Sequence, residues 1–419
     1  MDEPLLVSGS YDQCVKFWDV GRGDARETFT HKDAQINVMR HSLDCTLLAI
    51  AGWQHLRTSP PASIATGAAL KNVTAVGFDD RNRWVFSGAE DCTAKLWDFR
   101  ANFDCRRVLQ TNAPVNCVVA HPNQVVLIIT DTSGSIYFWD LRCDSTSIAT
   151  GAALKNVTAV GFDDRNRWVF SGAEDCTAKL WDFRANFDCR RVLQTNAPVN
   201  CVVAHPNQVV LIITDTFGSI YFWDLRCDSS EAFHNLDLDL FEHVTYVDIN
   251  RAGDTLIGVT NKGKVIVWTL STFISPANCR SALMLQEKSR VSAHTKYALK
   301  CHFSPDNKCF ATTGADGFVR LWDTANTSMP MNSIDVTSDM HRTTHSDRME
   351  QKWIWDCAFT CDAKYLFTAS GYQLRLWNLE TGEVVRRYQG HNKMITCFTF
   401  SDGGIRKTVR QNVVNGEYA

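Results

Sequence analysis

The sequence lacks most of the signatures that mark common enzymes and membrane proteins. It has no glycine-rich phosphate loop, no GxSxG and no HExxH, so none of the usual nucleotide, serine-nucleophile or zinc-hydrolase motifs is present. No run of eighteen apolar residues occurs and residues 1–20 carry no signal-peptide pattern, so we expect a soluble intracellular protein without direct membrane insertion. The net charge is −3 over 419 residues, too even a balance for a surface built mainly to bind nucleic acid. The 16 cysteines form no CxxC pair. Cys357 and Cys361 have three residues between them, with no His pair at metal spacing. Most of the others, such as Cys14, Cys117, Cys301 and Cys397, fall at alternating strand positions. They read as small buried hydrophobes in a reducing compartment; no metal and no cofactor is expected.

What the sequence does have is a spelling that recurs. Residues 88–98 read GAEDCTAKLWD, a small-residue turn with an Asp and then an alternating strand ending in Trp-Asp. GSYDQCVKFWD ends at Asp19, TDTSGSIYFWD at Asp140 and TGADGFVRLWD at Asp323; weaker versions reach Trp268 (NKGKVIVWT) and Trp377 (GYQLRLWN). Successive Trp residues recur about every 40–45 residues or a little more, the period of WD-repeat blades. A unit of four short strands cannot bury both faces alone, so the units must stack radially.

The chain begins inside a unit. Residues 5–8, 15–18 and 26–29 read as three strands, and the missing first strand follows Gly390-His391 at residues 394–400 (MITCFTF). The two ends are therefore expected to complete one blade and close the ring, which removes free sheet edges. The next unit runs from residue 36 into Thr58-Ser59-Pro60-Pro61, and proline cannot donate to a ladder, so its outer half is expected to be short. Residues 63–145 then recur as 147–229 with one difference: Ser133 in the first copy is Phe217 in the second. Such identity beside diverged neighbours means a recent internal duplication or an error in assembling the coding sequence. The offset is two unit periods, so the copy is in phase. The expected fold is an all-β WD-repeat β-propeller, a seven-bladed parent pattern with two blades duplicated and nine blade equivalents. It spans residues 1–403, with a polar tail at 404–419.

Within a blade, a His before the first strand, a Ser or Thr on the second, the turn Asp and the third-strand Trp can form a hydrogen-bonded chain. His391, Ser8, Asp12 and Trp18 make one set; His294, Thr312, Asp316 and Trp322 make another; Ser87, Asp91 and Trp97 lack a matching His. Their fixed offset from a strand Trp favours a structural role over a catalytic triad. Asp79-Asp80 and the copy Asp163-Asp164 fall in turns, where acidic residues are expected anyway. No catalytic residue is assigned.

First strands line the channel, and their starting residues open on one face. The starts align as Gln35-Ile-Asn37, Asn72-Val-Thr74, Pro114-Val-Asn116, His243-Val-Thr245, Tyr297-Ala-Leu299, Trp353-Ile-Trp355 and Met394-Ile-Thr396. Strand alternation predicts the middle residue inward and the outer two at the channel mouth. Gln35, Asn37, Asn72, Asn116, Tyr297, Trp353 and Trp355 are thus candidate partner-binding residues, the two Trp above all, because aromatics dominate interface centres. The alternative is that they pack on each other or on nearby loops.

The strings SGSYDQCVKFWD, AGWQHLR, GAEDCTAKLWDFR, NAPVNCVVAHPNQ, SAHTKYALKCHFSPD, WIWDCAF and ETGEVVRRYQGH together resemble the family of small WD-repeat subunits of target-of-rapamycin kinase complexes, the G-protein-β-subunit-like or lethal with sec thirteen protein eight proteins. The resemblance covers about residues 5–401. It implies a seven-bladed propeller that is not an enzyme. The implied partner is the kinase, through an insertion in the C-terminal lobe of its kinase domain, together with the other complex subunits. The implied processes are growth signalling and actin organisation, in the cytoplasm with recruitment to endomembranes through the complex. The kinase-facing rim of that family matches Trp353, Trp355, Gln35 and Asn37. The chain departs from the pattern in the unit after Arg57, in the duplicated pair and in the tail. A rival reading is a substrate receptor of a cullin ubiquitin ligase, whose WDxR motif fits Trp97-Asp98-Phe99-Arg100 and Trp139-Asp140-Leu141-Arg142.

Overall fold

Turn chemistry punctuates the strands. Trp84–Ala89 and Thr93–Asp98 pair antiparallel, with Val85 opposite Trp97. Between them the Asp91 carboxylate accepts the Thr93 amide at 3.0 Å and its hydroxyl at 2.5 Å, and Cys92 takes a φ of 63°. The short polar side chain substitutes for a missing backbone partner and so fixes the turn. The computed structural model describes residues 5–30, 35–41, 48–52, 55–59, 72–78, 84–98, 104–120, 126–141, 147–149, 155–162, 168–182, 188–206, 210–225, 232–236, 238–239, 241–274, 281–336, 353–401 and 413–414.

Eight sheets carry the four strands of a blade. In blade 1, Leu5–Ser10, Cys14–Trp18 and Ala25–Thr30 are joined by Ile395–Ser401, with Leu6 opposite Phe400. Blade 2 runs from Val73–Phe78 to Asp104–Gln110, and blade 3 from Val115–Ala120 to Ser147–Ala149. Blades 4 to 8 have first strands Val157–Phe162, Val199–Ala204, Val244–Ile249, Ala298–Phe303 and Ile354–Phe359. The strands form two compact units. One is Met1–Val157, Asp182–Cys189 and Tyr388–Ala419; the other is Thr158–Trp181 and Arg190–Arg387.

This topology corrects the expectation of a seven-bladed pattern with nine blade equivalents. The sheet of Ile36–His41, Leu48–Gly52 and His55–Ser59 has three strands, leaving eight full blades among the described residues. Pro60 and Pro61 follow directly, and neither has an N–H to give an outer strand. Blade 3 takes its outer strand, Ser147–Ala149, from the start of the second copy, whereas blade 5 uses Ala232–Asn235 beyond its end. The first-copy counterpart, residues 63–65, lies outside the described residues, as does the tail apart from Val413–Val414.

The copy rebuilds its own interface. Phe86, Leu96, Val115, Val118 and Trp139 are buried between blades 2 and 3; Phe170, Leu180, Val199, Val202 and Trp223 repeat that cluster between blades 4 and 5. The differing residue sits in a turn. The Ser133 hydroxyl donates to Asp131 Oδ1 at 2.6 Å, whereas Phe217 keeps only its amide bond to Asp215, at 3.0 Å, and leaves its ring 70% exposed. Nothing in the structure explains the aromatic there.

A β-bulge recurs at the start of the first strands. Val244 faces Thr260 and Tyr246 faces Val259, so Thr245 is the extra residue. The same shift falls at Asn37, Thr74, Asn116, Asn200, Leu299 and Trp355. A bulge re-aims its side chain. Here it turns polar groups from the channel mouth, where strict alternation would put them, onto the next sheet. In the first unit Thr396 donates to the Ile36 carbonyl at 2.8 Å, Thr74 to Val115 at 2.6 Å and Asn116 to Val157 at 3.3 Å. In the second, Thr158 donates to Val199 at 2.7 Å, Asn200 to Val244 at 3.0 Å and Thr245 to Ala298 at 2.8 Å. Leu299 has no donor to offer. The Trp355 side chain lies outside the described residues.

Polar chains inside the described blades take four forms. In blade 1 the Trp18 indole N–H donates to Ser8 Oγ at 2.8 Å, which leaves the hydroxyl to donate to His391 Nε2 at 2.7 Å; Nδ1–H then donates to Asp12 Oδ2 at 2.9 Å. Blade 7 repeats this through Trp322, Thr312, His294 and Asp316 at 3.1, 3.0 and 2.9 Å. Blade 2 retains the bond from Trp97 to Ser87, at 3.1 Å. Blade 6 holds a charge-swapped version: Glu242 accepts from Thr260 at 2.7 Å and from Lys264 at 2.8 Å. Its sequence offsets of 18 and 22 equal those of His294 with Thr312 and Asp316. Blades 3 and 5 use a tyrosine, whose hydroxyl donates to Asp131 at 3.0 Å and to Asp215 at 2.9 Å.

Two predictions follow from these bonds. Thr245→Val keeps the volume but leaves the Ala298 carbonyl short of a donor, and should cost about 1–2 kcal/mol; an unchanged thermal midpoint would contradict the role of this bond. Burial raises the carboxyls of Asp12 and Asp316, but bonds from His391 and the Asn392 and Cys14 amides, and from His294 and the Thr295 and Phe318 amides, outweigh it and hold both at about 2. Burial lowers His294 below its ordinary 6.5. All three folded values are depressed, so their stabilisation is present above the unfolded values and lost on acidification. The midpoint should begin to fall below pH 6.5 and fall further from pH 3.8 toward 2. His294→Gln should flatten the first limb, which pH-dependent melting curves would read directly.

Candidate partner-binding rim

In the first unit, Gln35 is exposed, while Asn37, Asn72 and Asn116 are half-buried and engaged. Asn37 donates to the Asn72 side-chain oxygen Oδ1, and the Asn72 side-chain amide donates to Glu90 at 3.3 Å. Asn116 donates to Asn156 at 2.6 Å and accepts from Thr130. These amides form cross-strand bridges, with Gln35 standing in solvent beside them.

In the second unit, Tyr297 and Trp353 come together. They line a cleft of about 630 Å³ with Asn261, Lys262, Thr295, Lys296 and Ala315. Two turns and a loop build it. The turn after Thr255–Thr260 brings Asn261 and Lys262 and ends in Gly263, with a φ of 81°. A Cβ at Gly263 would lie 2.1 Å from the His294 carbonyl oxygen and 2.5 Å from that of Lys296, so only glycine fits. The Ala293 and His294 amides donate back to the Gly263 carbonyl at 3.0 and 2.8 Å. On the other side the Thr295 amide donates to Asp316 at 3.1 Å and the Ala315 amide to the Tyr297 carbonyl at 2.8 Å. The buried His294–Asp316 pair therefore fixes the loop that presents Thr295, Lys296 and Tyr297.

Ala315 is buried and forms the floor; Tyr297 is 52% exposed, Trp353 half-buried, and both lysines are exposed. The lining offers an indole, a phenol, two ammonium groups, an amide and a hydroxyl, which suits contact with a polypeptide. Among the described residues, no group of three or more His, Cys, Asp or Glu could hold a metal ion. Cys117 is pushed up to about 12 and Cys201 to about 11 by burial, which keeps both thiols neutral. Arg100 and Arg142, which carry the WDxR motif, lie outside the described residues. Sequence reasoning missed Lys262, Lys296 and Ala315, which sit on turns beside the first strands rather than on them.

The profile of the family described as "WD domain, G-beta repeat" matches residues 1–19, 63–98, 103–140, 145–182, 286–323 and 341–378. The chain is 31% identical over 403 residues to the target of rapamycin complex subunit LST8 of Bos taurus, covering 96% of each. It is 29% identical over 398 residues to LST8 of Saccharomyces cerevisiae, covering 95% of this chain and 99% of the relative. The subunit wat1 of Schizosaccharomyces pombe is 28% identical over 398 residues, covering 95% and 96%. WD repeats, blade topology and similarity along almost the whole length agree: the chain belongs to the LST8 family of target of rapamycin complex subunits.

Proposed function

We propose that this chain is a non-catalytic scaffold subunit that binds and stabilises the kinase domain of a target of rapamycin kinase. Its relatives are subunits of target of rapamycin complexes by name. The observation that carries the reading is the cleft at Tyr297 and Trp353, an aromatic surface whose loop is held by the bonds of Asp316 to His294 and to the Thr295 amide. Rings so placed gain most when a partner covers them. The kinase segment proposed to cover them is the insertion in the C-terminal lobe of its kinase domain. Trp353 and Tyr297 serve as anchors, with Trp355, Gln35, Asn37, Asn72 and Asn116 as further contacts. The setting is the cytoplasm and membranes reached through the complex, in support of growth and actin organisation.

Trp353→Ala should weaken kinase binding by about 2 kcal/mol or more and leave the thermal midpoint near that of the parent. Titration with a purified kinase catalytic domain measures this; a folded variant that binds as well as the parent would contradict the reading.

A further inference from the structure

Two aromatic rings outside the cleft stand in solvent. Phe241 is 85% exposed and holds a left-handed φ of 60°. It is the third residue of a turn closed by the Glu242 amide, which donates to the Asp239 carbonyl at 2.9 Å. A left-handed residue at that place suits glycine or asparagine, so a bulky ring there is strained as well as wet. The surroundings hold the turn in this shape. The Asn261 side-chain amide donates to the Phe241 carbonyl at 2.9 Å, and the next residue, Glu242, is buried and accepts from Thr260 at 2.7 Å and Lys264 at 2.8 Å.

Phe217 is 70% exposed in the turn after Val210–Asp215. Its counterpart in the first copy, Ser133, donates its hydroxyl to Asp131, and the aromatic gives that bond up. A Cβ at the adjoining Gly218 would lie 2.4 Å from Leu238 Cδ1, and the Leu236 amide donates to the Gly218 carbonyl at 3.3 Å. This turn therefore packs on the segment that leads to Phe241. Both rings lie at the end of their blades that carries the cleft, because the turn after a second strand and the residues before a first strand share one end of an antiparallel sheet. Asn261 links the two places: it bonds the Phe241 carbonyl and lines the cleft with Tyr297 and Trp353. All of these residues belong to the second unit.

We infer that Phe241 and Phe217 extend the partner-binding surface from the cleft across blades 6 and 5, and that an apolar stretch of the same kinase domain covers them. This rests on the kinase-binding reading above and adds two contact residues and the chemistry of the segment that meets them. A ring kept at a left-handed, exposed position costs the free chain stability; covering it removes apolar surface from water, so the ring is favourable in the complex. Removing the ring should thus help the fold and harm the complex.

The test measures the melting midpoint of the full chain and its affinity for a purified target of rapamycin kinase catalytic domain. Phe241→Asn suits both the left-handed turn and the solvent. It should melt at or above the parent and bind about ten-fold more weakly. Phe241→Tyr keeps the ring and should bind like the parent. Phe217→Ser restores the turn of the first copy, and should melt at or above the parent and bind about three-fold more weakly. If Phe241→Asn melts below the parent, the ring supports the fold and the inference is overturned. If Phe241→Asn and Phe217→Ser bind like the parent while Trp353→Ala still loses the kinase, the extension is wrong and the kinase reading stands. If the parent chain does not bind the kinase domain, both are overturned.

Discussion

The structure depends on one repeated hydrogen bond: a polar side chain on a bulge residue of one first strand donates to the first-strand carbonyl of the next. A four-stranded sheet is apolar on both faces and will pack on another, but hydrophobic contact alone is non-directional. The bulge supplies direction. At Thr74 and Thr245 it places the hydroxyl 2.6 and 2.8 Å from the neighbouring carbonyl, and Thr158 makes the same bond at 2.7 Å. Each bond fixes how far one sheet slides on the next, and so where the turns of that face come to lie. At Leu299 the device is absent, and the aromatic cleft lies beside that position.

Structural and binding roles are joined through His294. Its ring belongs to the buried chain of Trp322, Thr312 and Asp316, and the next three residues are the exposed Thr295, Lys296 and Tyr297. The same Asp316 carboxylate that holds the imidazole also accepts the Thr295 amide. A triad-like constellation thus serves as a foundation. The His294 and Asp316 side chains are buried, and their energetic worth is realised in the position of the loop above.

Strand positions were legible in the sequence because turn Asp and strand Trp recur at fixed offsets. Blade number was not. It depended on where the outer strand after His55–Ser59 would come from, and Pro60 and Pro61 break the pattern there. The charge-swapped chain of Glu242, Thr260 and Lys264 escaped notice because the residue types differ, although the offsets are those of His294, Thr312 and Asp316. Alternation also misplaced the third residue of each first strand. A bulge breaks the period of two, and no residue type at Thr245 or Asn116 announces it. Tyr297 and Trp353 could be placed together from alignment of the strand starts alone, but the two lysines needed the turns folded onto them.

The central claim is that the partner covers the face at Tyr297 and Trp353. Hydrogen exchange of the full chain, alone and with the kinase catalytic domain bound, tests it most directly. The account predicts slowed exchange in the segments around Asn261–Lys262, Thr295–Tyr297 and Trp353, with little change in the outer strands Asp104–Gln110 and Asp188–Gln194. Protection confined to those outer strands, with the three segments exchanging as in the free protein, would contradict it.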